Sequence, residues 1–403
     1  MVTCNLLVWI IRINSKLWKK SNGLEKTKKN NYKTILCFNR AIFDKDLIEI
    51  EKRTNLNILV FDNEHYTIFA DTYLSNDLRD QMTYFHVADP SKEKFYNLID
   101  EMILRFQTKL DFDALLNSNI IYYQDHEWSK VCRKRNIPFL TLCKEVPATN
   151  KNEKIWIRDW SGFPYFGDKI AVYSQWTKNI LLNKCNIGSD KIYTVTGCPR
   201  TDPIYDIYSN RNDNCDNSYI VLFDFLEYEK PILWENTIDS FIKSANYSLN
   251  NKYDYQFIIK TKYHAFNPIV EKYLDKLDVP LDNIQITHDL NIKEIARYSK
   301  LICGFRTTAI IKLMISDIDI VIVDWAEALE EPEDRLITDK YSESCFVANS
   351  KGIFYEILQD RLFNKNVEKL KRSILRDKII EKNLYKIDGK RSIAFEKFVY
   401  SSI

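Results

Sequence analysis

Short apolar runs alternate with amphipathic stretches along most of this chain. Thr34-Ile35-Leu36-Cys37-Phe38 and Asn57-Ile58-Leu59-Val60-Phe61 are apolar runs of strand length, the pattern of parallel strands covered on both faces. Phe43–Lys52 between them has helical spacing. Phe95–Leu110 gathers Phe95, Leu98, Ile99, Met102, Ile103 and Phe106 on one helical face. Asn119–Tyr123 then reads as a strand, Trp128–Arg135 as a helix and Pro138–Leu142 as a strand. Ile170–Tyr173 is a buried strand leading into a helix with Ser174 as N-cap. Trp176, Ile180, Leu181 and Cys185 form the apolar stripe of that helix, and Asn186 and Gly188 end it. Ile192–Thr196 is the strand that follows. Alternation of this kind predicts a doubly wound α/β domain.

The polar stretch Ser209–Ser218 breaks the pattern, and the alternation then restarts. Tyr219–Phe223, Tyr255–Ile259, Ile284–Thr287, Leu301–Cys303 and Ile318–Val323 read as strands. Trp234–Ala245, Pro268–Leu277, Ile292–Tyr298 and Thr307–Ile315 read as the helices between them. The expected organisation is an N-terminal helix and linker (1–33), a first Rossmann-like domain (34–208), a second (218–366) and a charged helical tail (367–403).

Composition sharpens this in three ways. A chain of 403 residues is too long for one small core, which supports two domains. A formal net charge of +2 gives no case for nucleic acid as a partner. Nine scattered cysteines with no C-x-x-C pair read as reduced core thiols of a cytoplasmic protein, and with five dispersed histidines they suggest no metal. Within residues 1–20, Leu6, Leu7, Trp9, Ile10, Ile11 and Ile13 are apolar, but Arg12 interrupts a run already too short to span a bilayer. That segment reads as an interfacial helix at the inner face of a membrane, or as a helix packed on the first domain.

Two clusters suit anion chemistry. Gly304-Phe305-Arg306-Thr307-Thr308 follows a strand and opens a helix. Gly permits close backbone approach, Thr307 and Thr308 offer hydroxyls beside the first-turn N–H groups, and Arg306 can bind phosphate bidentately. Lys312 lies one turn beyond Thr308 on the same face. Lys260, Lys262 and His264 end a strand as a second basic cluster. Asp111-Phe112-Asp113 reads as a helix start, not as a metal-binding pair. There is no G-x-G-x-x-G, Walker A or G-x-S-x-G motif.

The segment Thr196-Gly197-Cys198-Pro199-Arg200-Thr201-Asp202 resembles the V-x-G-x-P-R-x-D stretch that ends the N-terminal domain in many GT-B glycosyltransferases. The likeness is to the CDP-glycerol glycerophosphotransferases and UDP-GlcNAc 2-epimerases of bacterial surface carbohydrate synthesis. Gly304–Thr308 and Lys260–His264 resemble two further elements of those families. The resemblance implies two Rossmann-like domains facing a central cleft, with Gly197, Arg200, Lys260, Lys262, His264, Gly304, Arg306, Thr307, Thr308 and Lys312 around the nucleotide and its phosphates. It implies a UDP-, CDP- or CMP-linked donor as substrate, no cofactor, and a glycan or lipid-linked acceptor. First-domain strand ends hold the base in such enzymes, which makes Glu145, Asp125 and His126 the candidates, Glu145 foremost. The chain departs from the pattern at Ala265, at Lys312 where a Glu often holds the ribose, and at Asp317 and Asp319 where Gly and Pro are usual. A 2-epimerase, or a scaffold that has lost activity, is the alternative.

Overall fold

Among the described residues the apolar runs fold as twelve parallel strands divided between two sheets of six. The structure is a computed structural model that describes residues 32–38, 40, 42–61, 63–79, 81–210, 218–224, 231–277, 284–305, 307–325, 344–364 and 373–403. The expectations for residues 1–20, for Arg306 and for most of the polar stretch 209–218 lie outside those residues.

The first sheet contains β1 (Lys33–Phe38), β2 (Leu56–Phe61), β3 (Ala114–Asn117), β4 (Phe139–Cys143), β5 (Lys169–Val172) and β6 (Tyr193–Val195), in the order β2-β1-β3-β4-β5-β6. Its helices are α1 (Phe43–Arg53), α2 (Asn63–Tyr73), α3 (Gln81–His86), α4 (Pro90–Leu110), α5 (Tyr123–Lys134), α6 (Asn150–Trp160) and α7 (Gln175–Asn179). Trp128 on α5 anchors the core, with its ring 4.8 Å from Phe38 and stacked on Phe106. Burying such aromatics is the main favourable contribution here.

After α8 (Asp202–Ser209), the second sheet is built from β7 (Tyr219–Phe223), β8 (Gln256–Lys260), β9 (Ile284–Thr287), β10 (Ser299–Gly304), β11 (Asp319–Val323) and β12 (Phe346–Ala348), in the order β12-β11-β10-β7-β8-β9. α9 (Pro231–Asn250), α10 (Asn267–Lys276), α11 (Ile292–Tyr298), α12 (Thr308–Leu313) and α13 (Lys351–Phe363) accompany it. Trp234 is buried against the ring of Tyr273, and its indole N–H donates to Asp224 at 2.6 Å. α14 (Ile374–Leu384) and α15 (Arg391–Tyr400) complete the chain.

By contacts the chain divides into two compact units. The first holds residues up to Val146, Lys154–Asp202 and Asn383–Ile403, and the second holds Pro147–Glu153 and Pro203–Lys382. The end of the chain therefore belongs to the first unit. Asp202 fixes it there, accepting the backbone N–H groups of Arg391 (3.1 Å) and Ser392 (2.8 Å) and the Ser392 hydroxyl. This carboxylate satisfies first-turn donors of α15 from outside the helix, the role an N-cap normally plays.

Two sequence expectations are corrected. Asn119–Tyr123 is not a strand: β3 ends at Asn117, and α5 begins at Tyr123. The asparagines cause this. Asn117 Nδ2 donates to the Asn119 carbonyl at 2.6 Å, and Asn119 Oδ1 accepts the Ile120 N–H at 2.7 Å, so side chains replace ladder bonds. Asp111-Phe112-Asp113 ends a helix instead of starting one. Asp111 is left-handed (φ 48°) at the C-terminus of α4. Asp113 accepts the Thr34 N–H and the Lys33 ammonium, both at 2.7 Å, tying the approach to β3 onto β1. The seven described cysteines are all buried free thiols, as expected of small core residues.

Candidate active site

In the first sheet the chain moves from β1 to β2 on one side and returns to β3 on the other. Ligands of open α/β sheets bind outside the carboxyl ends of the strands at such a reversal. The residues just beyond those ends are polar and charged. Arg40 follows β1; its guanidinium lies 3.8 Å from the Tyr122 ring centre and 3.1 Å from Asp125 Oδ1. The other Asp125 oxygen accepts from Asn117 Nδ2 at 3.1 Å. Burial pushes the Asp125 carboxyl above its usual range, with Arg40 and Asn117 pulling the other way. Both oxygens thus hold partners within the protein, and the carboxylate is only 3% exposed.

His126, the next residue, is enclosed by aromatic edges, with Phe85 at 4.6 Å, Phe166 at 4.8 Å and Tyr84 at 5.6 Å. Burial, reinforced by Lys130 and Lys92, lowers its pKa to about 3. A neutral imidazole of such low basicity is a poor general base near neutral pH. Asp125 and His126 also sit in the first turn of α5, not on a strand-end loop as expected.

Glu145 lies two residues beyond β4 and is half-buried. The buried Cys143 thiol behind it is pushed up to about 12. Tyr122 is raised by burial and then by the Glu145 charge. Lys144 is lowered by burial, with Glu145 opposing that and Arg200 and Arg40 adding to it. Of the three candidate bases, Glu145 alone lies in the segment just beyond a strand end, half-buried beside Tyr122 and Lys144.

Gly197 and Arg200 do not have the placement expected of phosphate ligands. Gly197 is left-handed (φ 80°), and a Cβ there would meet Arg391 Cγ at 2.8 Å and the Leu384 carbonyl at 3.1 Å. The glycine makes room for the end of the chain. Arg200 is only 7% exposed. It pairs with Asp46 at 3.0 Å and donates to the Tyr173 hydroxyl at 2.6 Å and to the Ile42 and Lys144 carbonyls at 3.4 Å. Its guanidinium is occupied by protein on several sides. Sequence reasoning missed Asp46 and Tyr173, because nothing in the spacing of either residue signals a partner more than a hundred positions away.

In the second sheet the reversal falls between β7 and β10. Gly304 ends β10, and a Cβ on it would meet Phe223 Cβ at 3.1 Å and Ile310 Cδ1 at 3.0 Å. A side chain there would press on β7 and on α12, so glycine eases the close approach of β10 to the end of β7. Thr307 is the N-cap of α12 and accepts the Ala309 N–H at 3.3 Å. Thr308 and Lys312 are half-buried. Lys260 at the end of β8 donates to the His288 carbonyl at 2.6 Å, joining β8 to the segment after β9. The His264 ring stands edge-on to His288 at 4.9 Å, and Lys262 lies exposed 5.2 Å from the Tyr263 ring centre. The structure therefore brings Lys260 and His264 to the unforeseen His288, whose ring also lies 3.0 Å from Asp289, while Lys262 stands exposed on the same segment.

Two Rossmann-like units with parallel sheets of this order define a GT-B fold. No protein-family model matches the chain, and no curated protein matches it. Solved structures do. A UDP-GlcNAc 2-epimerase from Methanocaldococcus jannaschii is 12% identical with a TM-score of 0.51, over 91% of this chain and 99% of that one. A glycosyltransferase from Rickettsia africae is 14% identical with a TM-score of 0.51, over 93% and 100%. S. aureus MnaA, solved with UDP, is 13% identical with a TM-score of 0.51, over 92% and 98%. Likeness at this level establishes the shared fold.

Proposed function

We propose that this chain is a nucleotide-sugar-dependent transferase of the GT-B fold. It moves a sugar or polyol phosphate from a UDP-, CDP- or CMP-linked donor to a glycan or lipid-linked acceptor in the synthesis of a cell-surface polysaccharide. The observation that supports it best is the half-buried Glu145 just beyond the carboxyl end of β4, beside Tyr122 and Lys144, where a base for an acceptor hydroxyl belongs. Glu145 takes the hydroxyl proton as the acceptor oxygen bonds the transferred group and the nucleotide phosphate departs. In the second unit, Lys260, Lys262 and His264 with Thr307 and Thr308 at the start of α12 are the groups suited to the nucleotide phosphates, and Arg306, adjacent in sequence, is a further candidate.

A second reading, a sugar-nucleotide 2-epimerase, is favoured by the epimerase from M. jannaschii among the structures of like fold. One experiment separates the readings. A thermal-shift screen of UDP, CDP, CMP and GDP picks the nucleotide, and products are then analysed with and without acceptor. Turnover that requires an acceptor supports the transferase, and an epimer formed without acceptor supports the epimerase. If no nucleotide stabilises the protein, both readings fail. In the transferase, Glu145→Gln should keep donor affinity and lower turnover by about 10²–10⁴-fold, the usual effect of losing a general base.

A further inference from the structure

Arg200, Asp46 and Tyr173 form a closed buried triad. The Tyr173 hydroxyl donates to Asp46 Oδ2 at 2.7 Å and accepts from Arg200 Nη2 at 2.6 Å. Asp46 Oδ1 also accepts the Arg200 backbone N–H at 3.0 Å. Asp46 and Tyr173 are 0% and 1% exposed. The triad joins α1, the end of β5 and the turn after β6, and the same guanidinium reaches the Lys144 carbonyl, one residue before Glu145. Just after that turn, Asp202 holds the first residues of α15. The turn is thus held both by the first residues of α15 and by the triad. Burying an ion pair this deeply gives little net stability over an apolar packing, so a role beyond stability is the better account of it.

We propose that Arg200, with Asp46 and Tyr173, is a positioning residue for the Lys144–Glu145 pair at the end of β4, holding its backbone and setting the charge around it. The proposal rests on the reading of Glu145 as a base in its significance, and on the triad's own geometry for its existence. The charged and titratable groups that bear on Lys144 are Arg40 beyond β1, Asp46 on α1, Asp125 on α5, Cys143 and Glu145 beside it, and Arg200. Arg200 lowers the Lys144 pKa and Asp46 raises it, Arg200 having the larger effect.

The test is residue-resolved labelling of the full chain. Reductive methylation with formaldehyde and cyanoborohydride is followed at Lys144 by mass spectrometry across pH. In Arg200→Gln the Lys144 profile should move to higher pH, and in Asp46→Asn to lower pH. The double variant, which leaves no unpaired buried charge, should fold and move to higher pH by less than Arg200→Gln. A purely structural role gives another signature, since loosening the site hydrates Lys144 and moves both single variants to higher pH. That result, or an unmoved profile in the folded double variant, overturns the proposal. Where the parent shows transferase turnover, the folded double variant should lose kcat with KM kept. A parent without turnover defeats the functional reading and leaves the labelling result standing.

Discussion

Asp319 is one of the positions where the chain departs from the sequences it resembles, and its surroundings give the departure a physical content. Its carboxylate accepts two bonds from Arg361 on α13, at 2.8 and 3.1 Å, with side chains only 6% and 7% exposed. The residue fastens the helix of the second unit to the first residue of β11. The pair gives Asp319 a structural role within the second unit. Removing one partner of such a pair strands a buried charge, which typically costs about 3–5 kcal/mol. Asp319→Ala should lower urea stability by about that much, whereas Asp319→Leu with Arg361→Met should recover most of it. A single Asp319→Ala change with an unaltered midpoint would show the pair to be solvated in solution.

The elements most legible in sequence are those whose apolar spacing decides them alone. β7 and α11 occupy the predicted residues, and Ser174 accepts the Thr177 N–H as the cap of α7. α7 runs on into a π-helical turn, Ile180–Lys184, and Asn186 and Gly188 beyond it have the positive φ that ending a helix demands. α13 went unassigned although Phe354, Leu358 and Leu362 recur at intervals of four and are buried. β12 is three residues long and carries too little pattern to read. The candidate site was legible in part. Strand ends and the residues after them follow from periodicity, so Glu145 and Lys260 were placed correctly at their strands. Whether a charged residue there faces a ligand or another element depends on contacts between distant segments. Arg200 met Asp46 and Gly197 met Arg391, and no local spacing encodes either. The Gly197 contact yields a test at this scale. Gly197→Ala forces a left-handed alanine and a clash with Arg391, strain of the order of 1–3 kcal/mol. Residues 391–403 should then become sensitive to limited proteolysis while the second sheet stays protected. Equal protection in parent and variant would mean that α15 does not depend on that turn.

For the molecule as a whole, the two units have separate cores, one around Trp128 and one around Trp234, and acid should not weaken them equally. His126 belongs to the first. Its pKa falls from an ordinary 6.5 to about 3 on folding, because burial among Tyr84, Phe85 and Phe166 disfavours the cation. Between those values the unfolded chain binds a proton that the folded protein does not. Stability therefore rises with pH across this window and is lost as pH falls through it, with a limiting slope of about 1.4 kcal/mol per pH unit for one group. Asp125 and Asp202, raised by burial in the same unit, act in the opposite sense above the ordinary carboxylate value. Comparison with a variant isolates the histidine. His126→Phe keeps an aromatic ring in the cluster and removes the titration. Urea unfolding followed by hydrogen exchange at pH 7 and pH 5 should show the first unit of the parent weakened at pH 5, and that of His126→Phe weakened less. The second unit should respond alike in both proteins. An equal loss in parent and variant would mean that His126 is hydrated and protonates freely in solution.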